Sequence, residues 1–551
     1  MDSTTKRSLT GLFIVMIIFS AMMTAVLPAP LFARISYLDN GVIRVGIDLE
    51  RGGAISYLSE SGADASVVNI RDLGRYIQQS YYSGPDPFIP EGEYQHPAYQ
   101  GWGWNPVQAG DVYGYRSWAF DDRNDGDSLY VKCVPKQWAL LNVDSECTME
   151  TWITLEANRV HVRSRLINAR GDSALYSGRH QELPAVYTVG TLHRLFTYTG
   201  DESYTGAALT QINNSGPPWT YWKSTECWSA LVNDDDWGLG IYNPGTILTV
   251  GGFHGTPGGG GPRDDNTGYI APLHTDILDH DIVYQYEYTL ILGDLFDDIR
   301  SYVYNHAPEA GPDCVFDRDR QHCAPYNLSD TSPPYSGFWR MTLDSADPRV
   351  TLPHSMWQAE DVPIIYITCA HHTVSDQAEL FFAGADGVFS SERRLTVTVV
   401  PDGEVRSYEV DLASHPLYAG AITRLRFDPV ITQAPGDMVD LYAITTDKIT
   451  SAEPVDRTSS APSIGPVVPN PFNPAATISF YVPNESPLRM AIYDTAGRKV
   501  RTLIGGMKHV GRGEIVWDGR SDTGRPVASG IYYCCLKAGG EVRTRKLVLL
   551  R

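Results

Sequence analysis

Short runs of alternating apolar and polar residues, separated by turn-forming residues, recur along almost the whole of this sequence. Examples are VIRVGID from Val42 and CTMETWITLE from Cys147. Side chains on a β-strand point to opposite faces with the same period of two. The composition supports short strands joined by turns, since 50 glycines and 36 prolines accompany 32 tyrosines and 12 tryptophans. We therefore predict an all-β fold, and no long amphipathic helix is needed.

The length and the charge of the chain limit its architecture and its partners. Single hydrophobic cores stop growing near about 250–300 residues. The chain has 551 residues, so we predict three folded units. Its net charge of −21 repels a polyanionic backbone. We therefore expect no nucleic acid among its partners.

The first 33 residues have the layout of a secretory signal peptide. Lys6 and Arg7 precede an apolar run from Leu12 to Leu27, and a small residue follows at Ala33. This order is typical of a signal peptide, so we predict cleavage near Ala33 and a secreted or cell-surface protein. The alternative is an uncleaved membrane anchor, because the apolar run approaches membrane-spanning length.

Export would permit disulfide bonds among the eight cysteines of the chain. We expect two pairs of cysteines that lie close in sequence, Cys133 with Cys147 and Cys314 with Cys323. Eight cysteines allow about 105 complete pairings, so the sequence alone leaves the connectivity open.

A change in charge marks the carboxyl-terminal region. Residues 465–551 carry a net charge of +7, whereas the rest of the chain carries −28. The segment 450–464 before them is rich in serine, proline and alanine, as linkers often are. Strand-like runs such as LRMAIYD from Leu488 alternate with turns, which predicts a small antiparallel sandwich. We therefore predict a linker at 450–464 and a separate domain at 465–551.

Four motifs of this domain resemble the C-terminal sorting domain of type IX secretion substrates, which is related to the Ig-like domain of the flagellar hook-capping protein. They are PNPFNPAATISF from Pro469, IYDTAGRKVRTL from Ile492, WDGRSDTGRPVASGIYY from Trp517 and RKLVLLR from Arg545. The resemblance implies an Ig-like fold and an export address that the secretion machinery reads. The alternative is an Ig-like spacer that shares the fold and has no transport role.

Residues 34–310 make up the largest predicted unit. They are too many for one simple sandwich, so we predict a many-stranded double sheet. The segments GGAISYL from Gly52, DLGRYIQQSYY from Asp72 and WGLGIYN from Trp237 resemble the galactose-mutarotase type supersandwich. This fold occurs in sugar epimerases, glycoside hydrolases and polysaccharide lyases, so the resemblance implies a carbohydrate ligand.

Residues 311–449 form a second predicted β unit. The phrase PDGEVRSYEVDLASHPLYAGAITRLRFDPV from Pro401 resembles a galactose-binding-like jelly-roll module of extracellular glycan-active enzymes. A shared fold does not carry a function with it. Sugar binding and a role as a structural spacer therefore both remain open for this unit.

A sugar site needs flat apolar surface beneath the ring and charged or amide side chains for the hydroxyl groups. The segment YQGWGWNPVQAGDVYGYRSW from Tyr99 supplies that mixture, and a polar segment around Arg75 precedes it. The alternative is that the rings fill the interior and the polar groups form an internal network. The residues that we predict to bind substrate are Arg75, Gln78, Trp102, Trp104, Asn105, Gln108, Asp111 and Tyr187.

The segment SGRHQELPAVY offers a pair of groups for acid–base chemistry. His180 and Glu182 are two residues apart, so on a strand they would share a face. Proton transfer to and from a sugar commonly uses such groups, and we predict this pair as catalytic, with Glu226, His254 and Asp276 in reserve. The alternative is that they only make structural hydrogen bonds.

Several sharper motifs do not occur in the sequence. HExxH, a CxxC pair and GxSxG are missing, which leaves zinc-protease, thioredoxin and serine-esterase functions without support. The glycine-rich segment from Gly251 lacks the end of a phosphate loop, so we predict a mobile loop that could cover a cleft. The acidic segment from Asp121 lacks a calcium-loop glutamate and predicts a solvated turn. We predict neither a metal nor a cofactor.

Together these features predict an exported carbohydrate-active protein, namely a glycoside hydrolase, lyase or epimerase that acts on a polysaccharide by acid–base catalysis. The alternative is a non-catalytic surface protein that binds glycans or mediates adhesion. An enzyme needs His180, Glu182, Arg75 and an aromatic wall around one concave site. A binding protein needs only the aromatic platform.

Overall fold

A computed structural model describes most of the chain between residues 34 and 550. The described residues are 34–335, 337–344, 346–432, 434, 436–448, 462–468, 472, 476–495, 497–522 and 524–550. The predicted signal peptide (1–33) and most of the predicted linker (450–464) lie outside them. Antiparallel sheets dominate the structure, so the predicted all-β fold class is confirmed.

The first unit is built from two large sheets. One has ten strands in the order β1-β2-β3-β4-β11-β18-β17-β14, with β5 beside β4 and β8 beside β5, and the other has nine strands in the order β13-β12-β15-β16-β19-β10-β9-β7-β6. The strands are β1 (Ile35–Asp39), β2 (Ile43–Asp48), β3 (Ala54–Glu60), β4 (Ile77–Ser80), β5 (Pro106–Val107), β6 (Trp118–Asn124), β7 (Ser128–Val134), β8 (Lys136–Gln137), β9 (Cys147–Glu156), β10 (Arg159–Asn168), β11 (Arg179–Val189), β12 (Arg194–Thr197), β13 (Thr210–Ile212), β14 (Thr220–Lys223), β15 (Trp228–Val232), β16 (Trp237–Tyr242), β17 (Leu248–His254), β18 (Thr267–Asp276) and β19 (Val283–Asp294).

The hydrophobic core of this unit lies between the two sheets, and alternation along each strand explains it. On β10, Val160, Val162 and Leu166 are fully buried in this core, whereas the intervening His161 and Arg163 lie on the other face of the strand. The ten-stranded sheet contributes residues of the same kind from its strands. Because period-two alternation places one set of side chains in the core, it leaves the opposite set on the outer face of each sheet.

The outer face of the ten-stranded sheet, which points away from the nine-stranded sheet, carries a smaller apolar cluster. It contains Ala185 of β11, Val250 of β17, and Tyr269, Ala271 and Leu273 of β18. None of these residues belongs to the main core between the sheets. This outer face therefore has an apolar surface of its own, and the candidate site lies on it.

Two short helical segments connect the first unit to the second, namely a π-helical turn (Leu295–Arg300) and α1 (Ser301–Asn305). Within the units, 3₁₀ turns occur at Leu49–Arg51, Pro97–Tyr99 and Leu412–Ser414. No helix among the described residues is both long and apolar enough to span a membrane.

The second unit consists of two six-stranded sheets that enclose a core of its own, with Trp339, Phe382 and Phe427 fully buried in it. It contacts the first unit directly, since Lys223 Nζ donates to the carbonyl of Ala385 at 3.0 Å. Its strands are β20 (Asp313–Val315), β21 (Ala324–Tyr326), β22 (Leu328–Asp330), β23 (Trp339–Leu343), β24 (Arg349–Thr351), β25 (Trp357–Gln358), β26 (Ile364–His372), β27 (Gln377–Gly384), β28 (Arg394–Thr398), β29 (Arg406–Asp411), β30 (Ala421–Asp428) and β31 (Met438–Thr445).

The third unit is a five-stranded sheet that bends around a small core containing Ile478, Leu488, Trp517, Leu536 and Leu547. Its strands are β32 (Ser463–Val468), β33 (Ala476–Asp494), β34 (Lys499–Trp517), β35 (Gly530–Ala538) and β36 (Glu541–Leu549). The exact domain boundaries that we placed at 310/311 and 464/465 stay predictions.

The eight cysteines are free thiols in the structure, so the two expected disulfides are absent from it. The Sγ atoms of Cys314 and Cys323 are 4.0 Å apart, about twice the length of a disulfide bond. Cys133 and Cys147 are likewise unbonded and fully buried in the core. Burial raises the pKa of the Cys133 thiol to about 12, which keeps it protonated and unreactive.

Candidate functional site

Glu182 lies on β11 in the middle of the ten-stranded sheet. It pairs with Ser80 of β4 on one side and with Leu273 of β18 on the other. The register of both pairings shifts directly after Glu182, and bulges of this kind re-aim side chains next to functional sites. The Glu182 side chain is half-buried and points to the outer face.

Two tyrosine hydroxyl groups hold the Glu182 carboxyl group. The hydroxyl groups of Tyr269 of β18 and of Tyr82, just after β4, lie beside it and lower its pKa as hydrogen-bond donors. Burial raises the pKa of Glu182, and the two hydrogen bonds oppose this effect only in part. Among the described residues, no lysine or arginine forms an ion pair with Glu182. The result is a carboxyl group with a raised proton affinity in a place that a ligand can reach.

Burial also raises the pKa of the phenols of Tyr82 and Tyr269 well above the usual value for tyrosine, and the nearby charge of Glu182 adds to this effect. Both hydroxyl groups therefore stay protonated at neutral pH and act as hydrogen-bond donors. They fix the position of Glu182 without neutralising it.

Aromatic rings surround this carboxyl group. Tyr187 stacks on Tyr269 with ring centroids 4.6 Å apart, and Trp219 lies 5.0 Å from Tyr269 on the same face. On the other side Trp102 lies 6.4 Å from Tyr82, and 39% of its surface is exposed. Flat rings around a polar group match the alternating C–H and hydroxyl surface of a sugar. We call Glu182, Tyr82, Tyr187, Trp219 and Tyr269 the Glu182 face.

His180 precedes Glu182 by two residues and lies on the same side of β11. Its side chain is exposed, its Nδ1 lies 2.9 Å from Oγ1 of Thr275, and its ring centroid lies 6.0 Å from that of Tyr221. Partial burial lowers the pKa of His180, so the imidazole is neutral at pH 7. It offers a second proton-transfer group beside the Glu182 face.

The second unit borders this end of the site. Burial lowers the pKa of His354 to about 4, and the charges of Arg424, Lys223 and His180 contribute to the shift. Electrostatic effects of this kind act over short distances. The charge of His180 in the first unit therefore acts on His354 in the second.

Arg75 is already engaged with the protein. Its guanidinium group donates to the carbonyl of Asp264 at 3.2 Å and to the carboxylate of Asp265 at 2.9 Å, and a second ion pair joins it to Asp72 at 3.3 Å. Its side chain is largely buried. Arg75 therefore anchors the end of the glycine-rich loop between β17 and β18 and lies near the site without offering a free cation.

Five of the eight residues predicted to bind substrate are sealed inside the protein. Trp104 has no exposed surface and donates to Glu146 at 3.2 Å, and the amide of Asn105 donates to the carbonyl of Tyr81 at 2.7 Å. Side chains without exposed surface cannot contact a ligand, so we correct these assignments to internal hydrogen bonding. The residues concerned are Gln78, Trp104, Asn105, Gln108 and Asp111.

These polar side chains are buried because the segments around them pack irregular backbone against the sheet. Buried backbone groups need hydrogen-bond partners. The amide of Gln78 accepts from the backbone N–H of Ala109 at 2.8 Å. The carboxylate of Asp111 accepts from the backbone N–H groups of Tyr113 and Tyr115, both at 2.9 Å. These polar side chains therefore hold loops in place.

The reserve residues have different surroundings. Glu226 has no exposed surface and pairs with Arg300 at 3.2 Å, so it is a buried structural carboxylate. His254 is partly exposed and lies 3.6 Å from a carboxylate oxygen of Asp265. Asp276 belongs to a separate cluster on the opposite side of β18, to which we return below.

Tyr82, Tyr269 and Trp219 were missed by sequence reasoning. Alternation along β18 could have placed Tyr269 and Leu273 on one face. The pairing of β11 with both β4 and β18 is long-range, however, and it alone brings Tyr82 and Tyr269 to Glu182.

An open groove of about 660 Å³ lies elsewhere, against the outer face of the nine-stranded sheet. Trp152 and Tyr302 line it together with Arg163. These rings are already covered, since Arg163 lies 4.3 Å above Trp152 and Arg159 lies 5.2 Å above Tyr302. We therefore favour the Glu182 face, where an unpaired carboxyl group and stacked rings occur together.

One part of the chain matches a known protein family. Residues 470–541 match the FlgD Ig-like domain family, which confirms the Ig-like resemblance of the third unit. No curated protein shows significant similarity to the sequence.

Several solved structures similar to the first unit are galactose-mutarotase-like proteins. A putative aldose 1-epimerase from Escherichia coli is 9% identical and covers 47% of this chain and 98% of its own length, with a TM-score of 0.30. A galactose mutarotase-like protein from Lactobacillus casei is 14% identical and covers 47% of this chain and 99% of its own, with a TM-score of 0.29.

A glycoside hydrolase is also similar in structure. An α-galactosidase from Geobacillus stearothermophilus is 10% identical and covers 48% of this chain and 40% of its own length, with a TM-score of 0.30. These similarities are too remote to carry a function or a residue role to this chain. The functional conclusion therefore rests on the site itself.

Proposed function

We propose that this protein is an exported carbohydrate-active enzyme that performs acid–base catalysis on a sugar at the Glu182 face. The observation that carries the proposal is the state of Glu182. It is a reachable carboxyl group with a raised pKa, held by tyrosine hydroxyl groups instead of by a cation. Such a group keeps its proton to a higher pH than an ordinary glutamate, which suits acid–base catalysis.

Each group of the site has a role in this proposal. Glu182 exchanges a proton with the sugar, and the hydroxyl groups of Tyr82 and Tyr269 keep its carboxyl group in place. His180, neutral at pH 7, is the second proton-transfer group. Tyr187 and Trp219 form the apolar surface beneath the ring. Sugar epimerases, glycoside hydrolases and lyases all need a proton-transfer group beside a surface that holds the sugar ring.

A non-catalytic glycan-binding protein is the second candidate, and one observation favours it. His180 and Glu182 are neighbours on the same side of one strand, so both lie on one wall of the site. Acid and base groups that act on a glycosidic bond usually flank it from two sides. A binding protein would use only the aromatic platform.

The two candidates are separated by a screen for chemistry on a panel of polysaccharides and monosaccharides. New reducing ends, unsaturated products or faster exchange of anomers by NMR would establish catalysis. The matched variants are E182Q, which removes the proton-transfer group, and E60Q, which changes an exposed glutamate at the end of β3. Activity that E60Q keeps and E182Q loses supports the proposal. Glycan binding without any product in the wild-type protein contradicts it.

The export part of the proposal is supported by the layout of residues 1–33 and by the FlgD Ig-like match at 470–541. We propose a secreted or cell-surface location, with the third unit as the address that the secretion machinery reads. The test is fractionation of cells that express the full chain or a chain that ends at residue 464. Retention of only the truncated chain inside the cell supports the sorting role, whereas equal export of both contradicts it.

A further inference from the structure

A second cluster of chemically active side chains lies on the side of β18 opposite to the Glu182 face. His274 and Asp276 of β18 alternate with Leu273 and Thr275, so they point toward the space between the two large sheets. Tyr284 of β19, in the other sheet, donates to Asp276 and confirms this direction. This cluster is therefore distinct from the proposed sugar site.

The second unit supplies the third member of the cluster. His322 lies in the loop between β20 and β21, and its Nδ1 lies 3.0 Å from Oδ1 and 3.2 Å from Oδ2 of Asp276. The rings of His274 and His322 are 4.8 Å apart between centroids. His274 and Asp276 are buried and His322 is half-buried. One potential ligand atom from each residue lies within 4.8 Å of the other two.

We propose that His274, Asp276 and His322 bind a divalent metal ion of the zinc class, which joins the first unit of the chain to the second. Two imidazole groups and one carboxylate are a ligand set that zinc and related transition metals prefer. Three protein ligands leave one coordination position for water. The set is unsuited to calcium and magnesium, which take oxygen ligands.

Room for an ion and a water molecule exists beside two of these side chains, Asp276 and His322. A cavity of about 210 Å³ is lined by Asp276 and His322 together with Arg320 and Gln321. Ligand atoms around a zinc ion lie about 2.0–2.2 Å from the metal. The three ligand atoms, which lie within 4.8 Å of one another, would therefore have to move closer together around the ion.

The surroundings orient the proposed ligands. Tyr284 Oη donates to Oδ2 of Asp276 at 2.5 Å, and the side-chain amide of Asn243 lies 3.4 Å from Nε2 of His274. Hydrogen bonds to metal ligands fix the orientation and strengthen binding.

The backbone at His322 is also unusual. His322 and the preceding Gln321 both have positive φ values, 59° and 49°. Residues other than glycine rarely adopt this conformation, and it persists where the surrounding structure enforces it, often at functional sites. Here it directs His322 toward Asp276 across the seam between the two units.

The competing explanation is a plain ion pair at the seam. A charged His322 would pair with Asp276, in the same way as the neighbouring Arg320 pairs with Asp279 at 2.5 Å and with Asp330 at 2.8 Å. An ion pair needs neither His274 nor a metal. The two explanations therefore differ in whether the protein takes up one metal ion per chain through both histidines.

The test uses the full chain without a histidine tag, stripped with a chelator and titrated with Co²⁺ alone. We expect one Co²⁺ per chain and the visible absorption of a four- or five-coordinate nitrogen and oxygen site. Zn²⁺ should displace the Co²⁺ stoichiometrically, and excess Ca²⁺ should not. Since this measurement needs no variant, it stands even if substitutions impair folding. Absence of a saturable visible spectrum, or displacement by Ca²⁺, overturns the proposal.

Matched variants test the ligand set. H322Q and H274Q should each weaken Co²⁺ binding at least tenfold, whereas H280A, at a partly exposed histidine that lies 3.9 Å from Asp281, should bind like the wild-type protein. Added Zn²⁺ should raise the melting temperature of the wild-type protein and of H280A only, because a ligand stabilises the state that binds it. Equal binding by H322Q and H280A contradicts the proposal. So does intense near-ultraviolet thiolate-to-cobalt absorption, which would place Cys314 or Cys323 in the site instead.

Discussion

Glu182 and Glu226 are two glutamates of the same unit in contrasting surroundings. Glu226 is completely buried, and its carboxylate accepts from Arg300 at 3.2 Å, Tyr304 at 2.7 Å and the indole of Trp228 at 2.9 Å. Glu182 is half-buried, and the hydrogen-bond donors that act on it among the described residues are tyrosine hydroxyl groups. Both glutamates therefore have tyrosine partners, and they differ in that Glu226 also has a cationic partner, Arg300.

This difference separates a structural carboxylate from a chemical one. A buried carboxylate beside an arginine stays ionised and holds the fold together, because removal of either partner leaves an uncompensated charge. A carboxyl group that is desolvated and has no cation beside it has a raised pKa, so it can exist in either the protonated or the ionised form. A desolvated carboxyl group without a cation lowers the stability of the folded state. Such a loss is expected where a residue takes part in a reaction.

The largest expected effect is on catalysis. Once a substrate is found, E182Q should lower kcat by about 10²–10⁴-fold, the range for loss of a general acid or base, because the amide cannot exchange a proton. E226Q should retain wild-type kcat per folded molecule. Initial rates at equal concentrations of folded protein make the comparison. Equal losses in the two variants would remove the distinction between the two glutamates.

The reverse pattern is expected for stability. E226Q keeps the size of the side chain but leaves the buried charge of Arg300 without its partner, which should destabilise the protein by about 3–5 kcal/mol. Denaturant unfolding followed by tryptophan fluorescence measures the change. A double variant with R300M should recover part of the loss, since it removes the unpaired charge as well. A loss in E226Q below about 1 kcal/mol, the value of an ordinary hydrogen bond, would contradict the structural role.

E182Q itself should be more stable than the wild-type protein at neutral pH, by about 0.5–2 kcal/mol as for other single stabilising changes. Folding raises the pKa of Glu182 above its ordinary value of 4.5, so the folded state binds the proton more tightly than the unfolded state. The stability that this group contributes is fully present below that ordinary value and is lost as the pH rises through the raised value. The advantage of E182Q should therefore grow across that window and vanish in acid. Melting temperatures of both proteins as a function of pH test the sign.

The same contrast shows how far the sequence can reach. Period-two alternation predicts the all-β fold, and it correctly places His180 and Glu182 on one side of a strand. It does not apply to Trp102 and Trp104, which lie two residues apart outside the regular strands. One is 39% exposed and the other is fully buried, because irregular backbone has no fixed period.

Site residues that are brought together by strand pairing could not be predicted from the sequence either. Tyr82 and Tyr269 meet Glu182 only because β11 lies between β4 and β18, and those strands are far apart in sequence. His322 reaches Asp276 from another folded unit. A composition rich in tyrosine predicts that such rings exist, but the order of the strands decides which carboxyl group they surround.

The smallest expected effect concerns the two tyrosines and refines the contrast further. Their hydrogen bonds lower the pKa of Glu182 and so oppose the effect of burial. In Y269F or Y82F the carboxylate form loses a donor, so the pKa of Glu182 should rise further. If Glu182 acts as a base, the acidic limb of the profile of kcat/KM against pH should move to higher pH in both variants, with a larger shift in the double variant. Y57F, at a phenol that donates to the carbonyl of Ala63 at 2.7 Å, is the control and should leave the limb in place. A limb that stays fixed in Y269F and Y82F would mean that a group other than Glu182 controls the reaction.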